Sequence, residues 1–133
     1  MADAVTVTDL VVERGRRRVL HDLSCVVPAG RVTGLLGPSG SGKTTLMRSL
    51  VGVQQVRSGE VTVLGEPAGS PGLRSRVGYV TQSPSVYPDL SVRENARYFA
   101  ALYGRGARAA DDALAAVGMT DAAGQLVADL SGG

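Results

Sequence analysis

The chain has 133 residues, of which 44% are hydrophobic, 20% charged and 4% aromatic, with no tryptophan, so its core must be built mainly from Val, Leu and Ala. A formal net charge of +2 is too small to mark a nucleic-acid surface, and the single cysteine, Cys25, excludes an intrachain disulfide framework. No apolar run is long enough to span a bilayer, and the start Met1-Ala2-Asp3-Ala4 is acidic where a secretory signal is basic. The expectation is therefore a cytoplasmic globular chain of one domain or part of one, with any membrane anchor supplied by another subunit or segment.

Val5-Thr6-Val7-Thr8 alternates apolar and polar residues, the mark of a half-buried strand that can run to about Glu13. Gly15 with Arg14, Arg16, Arg17 and Arg18 reads as a solvated turn, and Val19 to Val27 as a second strand broken by Pro28-Ala29-Gly30. Within it, Cys25 reads as a small core residue. Val32-Thr33-Gly34-Leu35-Leu36 is apolar almost throughout, as a strand covered on both faces is. From Lys43 to Val51 the spacing predicts a helix with Leu46, Met47 and Leu50 on one side.

Ser58-Gly59 predicts a turn, Glu60 to Leu64 a short strand and residues 65–75 a loop. Val77-Gly78-Tyr79-Val80 reads as a strand ending at Thr81-Gln82, after which Pro84 and Pro88 keep the chain irregular. Ser91 with Glu94 three residues later is a capping box, each side chain satisfying a backbone N–H at a helix start. Val92, Phe99, Leu102 and Tyr103 can share one face of that helix, which Gly104 ends. A second helix is expected over Ala107 to Val117 with Gly118 as its stop, followed by a weakly patterned segment to Gly133.

Gly37-Pro38-Ser39-Gly40-Ser41-Gly42-Lys43-Thr44 matches G-x-x-x-x-G-K-[ST] in full, after an apolar run and before a helical one. A polyphosphate needs several N–H donors aimed at one concave spot, and a glycine-rich turn lets successive amides point inward. The loop opens a helix, whose N-terminal end is partly positive and has free N–H groups. Lys43 can reach the β- and γ-phosphates, and the Thr44 hydroxyl can ligate Mg²⁺. Lys43 is also the sole lysine among the basic residues, which are otherwise arginine. An ammonium folds back into a tight nest where a planar guanidinium does not fit.

With these residues in place, the chain resembles the ATP-binding cassette (ABC) ATPases over essentially its whole length. Residues 37–44 match their Walker A loop, extended by Thr45. Gln82 falls where the family has its Q-loop glutamine, and Leu130-Ser131-Gly132-Gly133 matches the start of the signature LSGGQ. Tyr87-Pro88-Asp89-Leu90-Ser91-Val92-Arg93-Glu94-Asn95 followed by Tyr103-Gly104 looks like the drug-export branch. The resemblance implies an α/β fold, a P-loop NTPase core with an N-terminal antiparallel β part and the start of an α-helical subdomain. It divides the chain into a nucleotide-binding core at 1–82 and a helical subdomain at 83–133.

It also implies roles. The amides of Gly40 to Thr45 would hold the phosphates of ATP, Lys43 would neutralise the β- and γ-oxygens, and Thr44 would bind Mg²⁺. Gln82 would meet the Mg²⁺ and the attacking water. Ser131, Gly132 and Gly133 would contact a γ-phosphate bound by a second cassette, in a homo- or heterodimer. The implied partner is a multi-span permease, and the implied place is the inner face of the cell membrane; no nucleic acid is expected.

Two departures stand out. The family places an aromatic residue on adenine after the first strand, and the matching position, counted back from Val19-Leu20, is Arg14, whose guanidinium plane can stack on a base. The chain also stops at Gly133, before the family's Walker B carboxylates and switch histidine, and His21 precedes the loop. Binding without steady hydrolysis, an unpaired apolar edge at Val32 to Leu36 and marginal stability in isolation are the expectations for a cassette truncated there. The favoured function is an ATP-binding subunit that powers export. The alternative is a soluble ABC-type ATPase of the translation-factor kind; a DNA-repair type would need a long insertion between Gln82 and the signature, where this segment is short.

Overall fold

The computed structural model describes residues 2–131, which fall into two compact units, Met1–Val77 and Gly78–Gly133. In the first unit, strands β1 (Asp3–Arg14) and β2 (Arg17–Pro28) form a long antiparallel hairpin. Helix α1 (Lys43–Leu50) follows the loop, and β3 (Ser58–Val63) and the short β4 (Glu66–Pro67) complete an antiparallel sheet in the order β2-β1-β3-β4. The alternation read at Val5 to Thr8 does not continue unbroken along β1. Asp9 takes a left-handed backbone (φ 48°), its amide donates to Ser24 Oγ at 2.9 Å, and the register shifts against both neighbouring strands. This bulge inserts one residue, so Leu10 and Val12 return to the face that Val7 occupies. These three side chains, with Leu20 and Leu46, form the core, and Cys25, expected within it, packs half-buried at its margin. Fully burying each such aliphatic side chain contributes about 1.5–3 kcal/mol.

Two expected strands are not formed. Residues 32–36 and 77–80 carry no ladder, and Val32, Leu36 and Val80 are exposed. A strand apolar on both faces is stable only when neighbours hydrogen-bond its edges and layers cover it, and among the described residues no segment pairs with either. The apolar pattern is real; the partners it needs are not among these elements.

The second unit contains α2 (Val92–Leu102) and α3 (Ala107–Ala116), which pack on each other and are joined by an Arg97–Asp111 ion pair at 3.1 Å. The predicted capping box is present: Glu94 N–H donates to Ser91 Oγ at 3.0 Å and Ser91 N–H to Glu94 Oε1 at 2.9 Å. The bonds from the Ser91 backbone and side chain hold the Glu94 carboxyl below its ordinary value. Val92 is buried, whereas Leu102, expected on the same face, stands exposed at 64%. Buried Asn95 clamps the preceding loop. Its Oδ1 accepts from Tyr87 N–H at 2.8 Å, and its Nδ2 donates to the Tyr87 and Ser91 carbonyls at 2.9 and 3.0 Å.

The β1 bulge makes a specific demand on β3. Gly59 has φ +93°, and a Cβ there would lie 2.4 Å from the Asp9 carbonyl oxygen. Gly65 has φ +83° but nothing within 4 Å. Gly65→Ala is therefore expected to cost only the left-handed backbone term, ~1–2 kcal/mol, whereas Gly59→Ala must also push two strands apart and should cost clearly more. Urea-unfolding midpoints of the two variants check the order.

Candidate functional site

The starts of α1 and α2 are built in opposite ways, and that of α3, with Gly106 as N-cap, also lacks a side-chain cap. At α2, all the orphan amides of the first turn have protein acceptors. Ser91 and Glu94 use the capping box, while Val92 N–H donates to Gln125 O and Arg93 N–H to Ala123 O, both at 2.9 Å. At α1 the N-cap is Gly42, with no side-chain cap, and the first amide bonded into the helix is that of Leu46, to Gly42 O at 2.9 Å. Among the described residues the amides of Gly42, Lys43, Thr44 and Thr45 have no acceptor, nor does that of Gly40 in the turn before them. These N–H groups, with the positive end of the helix dipole, make an anion site.

Local sequence explains the shape. Gly40 and Gly42 both have positive φ, +79° and +98°, which side-chain-bearing residues avoid. Gly42 is also pressed against the hairpin: a Cβ there would meet Leu20 Cδ2 at 2.8 Å and Val19 Cγ1 at 3.4 Å. Leu20, Leu46 and the core thus hold the loop from beneath. Inside α1, buried Ser49 donates from Oγ to Thr45 O at 2.8 Å. The Lys43 ammonium folds back across the loop. It donates to Gly37 O, to Pro38 O at 2.7 Å and to Ser41 Oγ at 3.3 Å, using its three donors on the loop itself. Ser41 N–H closes the turn on Pro38 O at 3.2 Å, and Ser39 is exposed beside it. The Thr44 hydroxyl has no hydrogen-bond partner among the described residues. Open amides, one ammonium and one free hydroxyl fit a polyphosphate with its divalent cation.

Arg14 ends β1, exposed and opposite Arg17. Gln82 belongs to the second unit, where it is exposed in a bend; the neighbouring Thr81 hydroxyl donates to Ser83 O and lies 2.7 Å from Ser85 Oγ. Leu130 is half-buried and Ser131 exposed, while Gly132 and Gly133 of the expected signature lie outside the described residues. Sequence reasoning missed Val19 and Leu20 as the support of Gly42. It also missed that Arg17 faces the same way as Arg14; cross-strand pairing across the turn was the signal that could have found it.

A family model described as ABC transporter matches residues 20–133. The chain belongs to the ABC transporter family. It is similar to a Nod factor export ATP-binding protein I of Burkholderia lata, 42% identical over 98 residues that cover 72% of this chain and 32% of the relative. It is 40% identical over 126 residues to a molybdenum import ATP-binding protein of Bradyrhizobium diazoefficiens, covering 90% of this chain and 14% of that protein. It is 36% identical over 129 residues to the cytochrome c biogenesis ATP-binding export protein of Ruegeria pomeroyi, covering 97% and 58%. A solved ATP-binding subunit of an ABC transporter superposes with a TM-score of 0.83 at 25% identity, over 96% of this chain and 56% of that one. The chain therefore spans from 14% to 58% of the length of these relatives. The α/β P-loop fold with an antiparallel β part is shown, as is membership of a family of transport-related ATPases.

The contact between Gly42 and Leu20 can be measured as a coupling. Gly42→Ala is expected to lower the unfolding midpoint more than Gly40→Ala, whose Cβ would meet nothing within 4 Å. In a double-mutant cycle, Leu20→Ala should recover part of the Gly42→Ala loss, with a coupling of ~1 kcal/mol. Strict additivity would show that the two do not touch.

Proposed function

We propose that this chain is the MgATP-binding part of an ABC transporter ATPase that drives export. The observation that carries this reading is the open first turn of α1, with unbonded amides at Gly42, Lys43, Thr44 and Thr45 directly after a glycine-rich loop whose Lys43 ammonium folds back across it. In this reading residues 37–45 grip the phosphates. Lys43 would exchange its loop carbonyls for phosphate oxygens, and the Thr44 hydroxyl would hold Mg²⁺, whose charge would offset that of the polyphosphate. By the resemblance, Lys43 and Gln82 are the residues of this segment that would act in hydrolysis. Arg14 covers the adenine in place of an aromatic ring.

Residues 1–82 then form the nucleotide-binding core and 83–133 the helical subdomain. Leu130, Ser131, Gly132 and Gly133 serve the γ-phosphate held by a second cassette, so that nucleotide joins two cassettes and turnover parts them. No described helix is long and apolar enough to cross a membrane. The reading therefore places the chain at the inner face of the membrane through a multi-span permease. Residues 87–95 are the face offered to that partner. Tyr87, on a loop that Asn95 fixes, stands part-exposed with its ring centroid 5.2 Å from that of Tyr98 of α2. Export is favoured because relatives named for Nod factor export and for cytochrome c biogenesis export match, although a molybdenum importer does too.

Two substitutions test the site. Lys43→Ala removes a charge-assisted phosphate contact of about 1.5–3 kcal/mol, so equilibrium dialysis should show MgATP affinity falling at least ~10-fold; equal binding by variant and wild type would refute the assignment. Arg14→Ala should weaken ATP binding and narrow the preference for ATP over GTP, measured by competition. If both stay unchanged, Arg14 does not cover the base.

A further inference from the structure

The end of the β1–β2 hairpin places like charges face to face. Arg14 and Arg17 are Cα partners across the strands, so their side chains lie on the same side of the hairpin. Which side follows from the register. Val12 pairs with Leu20 and Glu13 with Arg18, leaving Val19 as the extra residue of a bulge on β2. Val12 and Leu20 face the core. Glu13 and Arg18 face away and form an ion pair at 3.7 Å, with Arg57 also on Glu13 at 3.1 Å. Arg14 and Arg17, one step further, return to the face of Val12 and Leu20. That face meets the phosphate loop, since Leu20 Cδ2 would lie 2.8 Å from a Cβ on Gly42.

The outer face of this hairpin end thus carries a counter-charge, Glu13, and the inner face carries none among the described residues. Among the described residues neither the Arg14 nor the Arg17 guanidinium has an ion pair or hydrogen bond. Directly opposed like charges destabilise a sheet. Two residues of strand separate this pair from Val12 and Leu20, ~7 Å at the usual rise, and an extended arginine side chain covers a comparable distance. An arginine on this face can therefore carry its charge toward the open amides of α1, and charges within a Debye length, ~10 Å at 0.1 M salt, act on one another.

We infer that Arg17 is a further nucleotide-binding residue, which with Arg14 forms a second cationic wall facing the phosphate loop and recognises the charge of the polyphosphate. The inference rests on the proposed MgATP site. It adds to that site a residue on β2 whose repulsion with Arg14 is relieved when the anion lies between the hairpin and α1. Arg14 takes the base and Arg17 the phosphate side.

The test compares the intact wild-type protein with Arg17→Gln and with Arg74→Gln, which removes an equal charge from an exposed position in the same unit. Thermal unfolding without nucleotide and equilibrium binding of MgATP and AMP, both at several salt concentrations, are measured for each. Arg17→Gln is expected to raise the unfolding temperature of the free protein, because the repulsion is gone. It should weaken MgATP binding ~10-fold, as loss of a charge-assisted contact does, change AMP binding far less, and flatten the salt dependence of MgATP affinity. Arg74→Gln should change none of these. MgATP binding by Arg17→Gln equal to wild type would overturn the inference while leaving the loop assignment standing if Lys43→Ala still loses binding. Lower stability of the free protein with equal losses for MgATP and AMP would overturn it too, by showing a structural role. Absence of nucleotide binding by the wild type would remove the inference and the proposed site together.

Discussion

The chemistry of this chain depends on one constraint: four successive amides at the start of α1 find no acceptor among the described residues. A buried or ordered N–H without a partner is costly, and the same chain closes every such group at the start of α2 with a serine, a glutamate and two carbonyls from residues 123 and 125. The difference is one of sequence. Ser91 and Glu94 carry side chains that reach back to the backbone, whereas Gly42 carries none. Placing glycine at the cap leaves the dipole and the donors of α1 available to a ligand that brings its own oxygens.

The loop can be held in that unsatisfied form because it is fastened from two sides. Below, Gly42 sits on Leu20 and Val19 so closely that a Cβ would push Leu20 Cδ2 aside. Above, the Lys43 ammonium ties Gly37, Pro38 and Ser41 together. Lysine suits both states of such a site. Its three donors can rotate from carbonyl oxygens to phosphate oxygens with little movement of the main chain, which a rigid guanidinium fork does not allow.

What is legible in the sequence is what local chemistry decides. The capping box, the glycine stops at Gly104 and Gly118, the hairpin and α1 all follow from short-range rules, and they appear within a residue or two of where those rules put them. The bulge at Asp9 is not legible, because it depends on Ser24 and on the close pass of Gly59, residues distant in sequence. Residues 32–36 and 77–80 show the converse. Their apolar pattern records burial between neighbours, but a pattern supplies no hydrogen bonds, and without a paired edge the strand does not form. Within the site, the loop is readable because its glycines and lysine act at fixed spacing. Arg17 is not, because its direction is set by register across a hairpin.

That last point bears on how the arginine run should be understood. Read along the chain, Arg14, Arg16, Arg17 and Arg18 are one block of charge at a turn. Folded, they separate by face. Arg18 joins Glu13 and Arg57 on the outside, where the pair is solvated and contributes little to stability. Arg14 and Arg17 go to the inside, where no carboxylate meets them. A turn selected only for solubility gains nothing from sorting its charges this way, since either face would serve and a single acidic residue would remove the repulsion. An uncompensated cationic face directed at a loop of uncompensated donors is the arrangement expected when the missing negative charge arrives with the ligand.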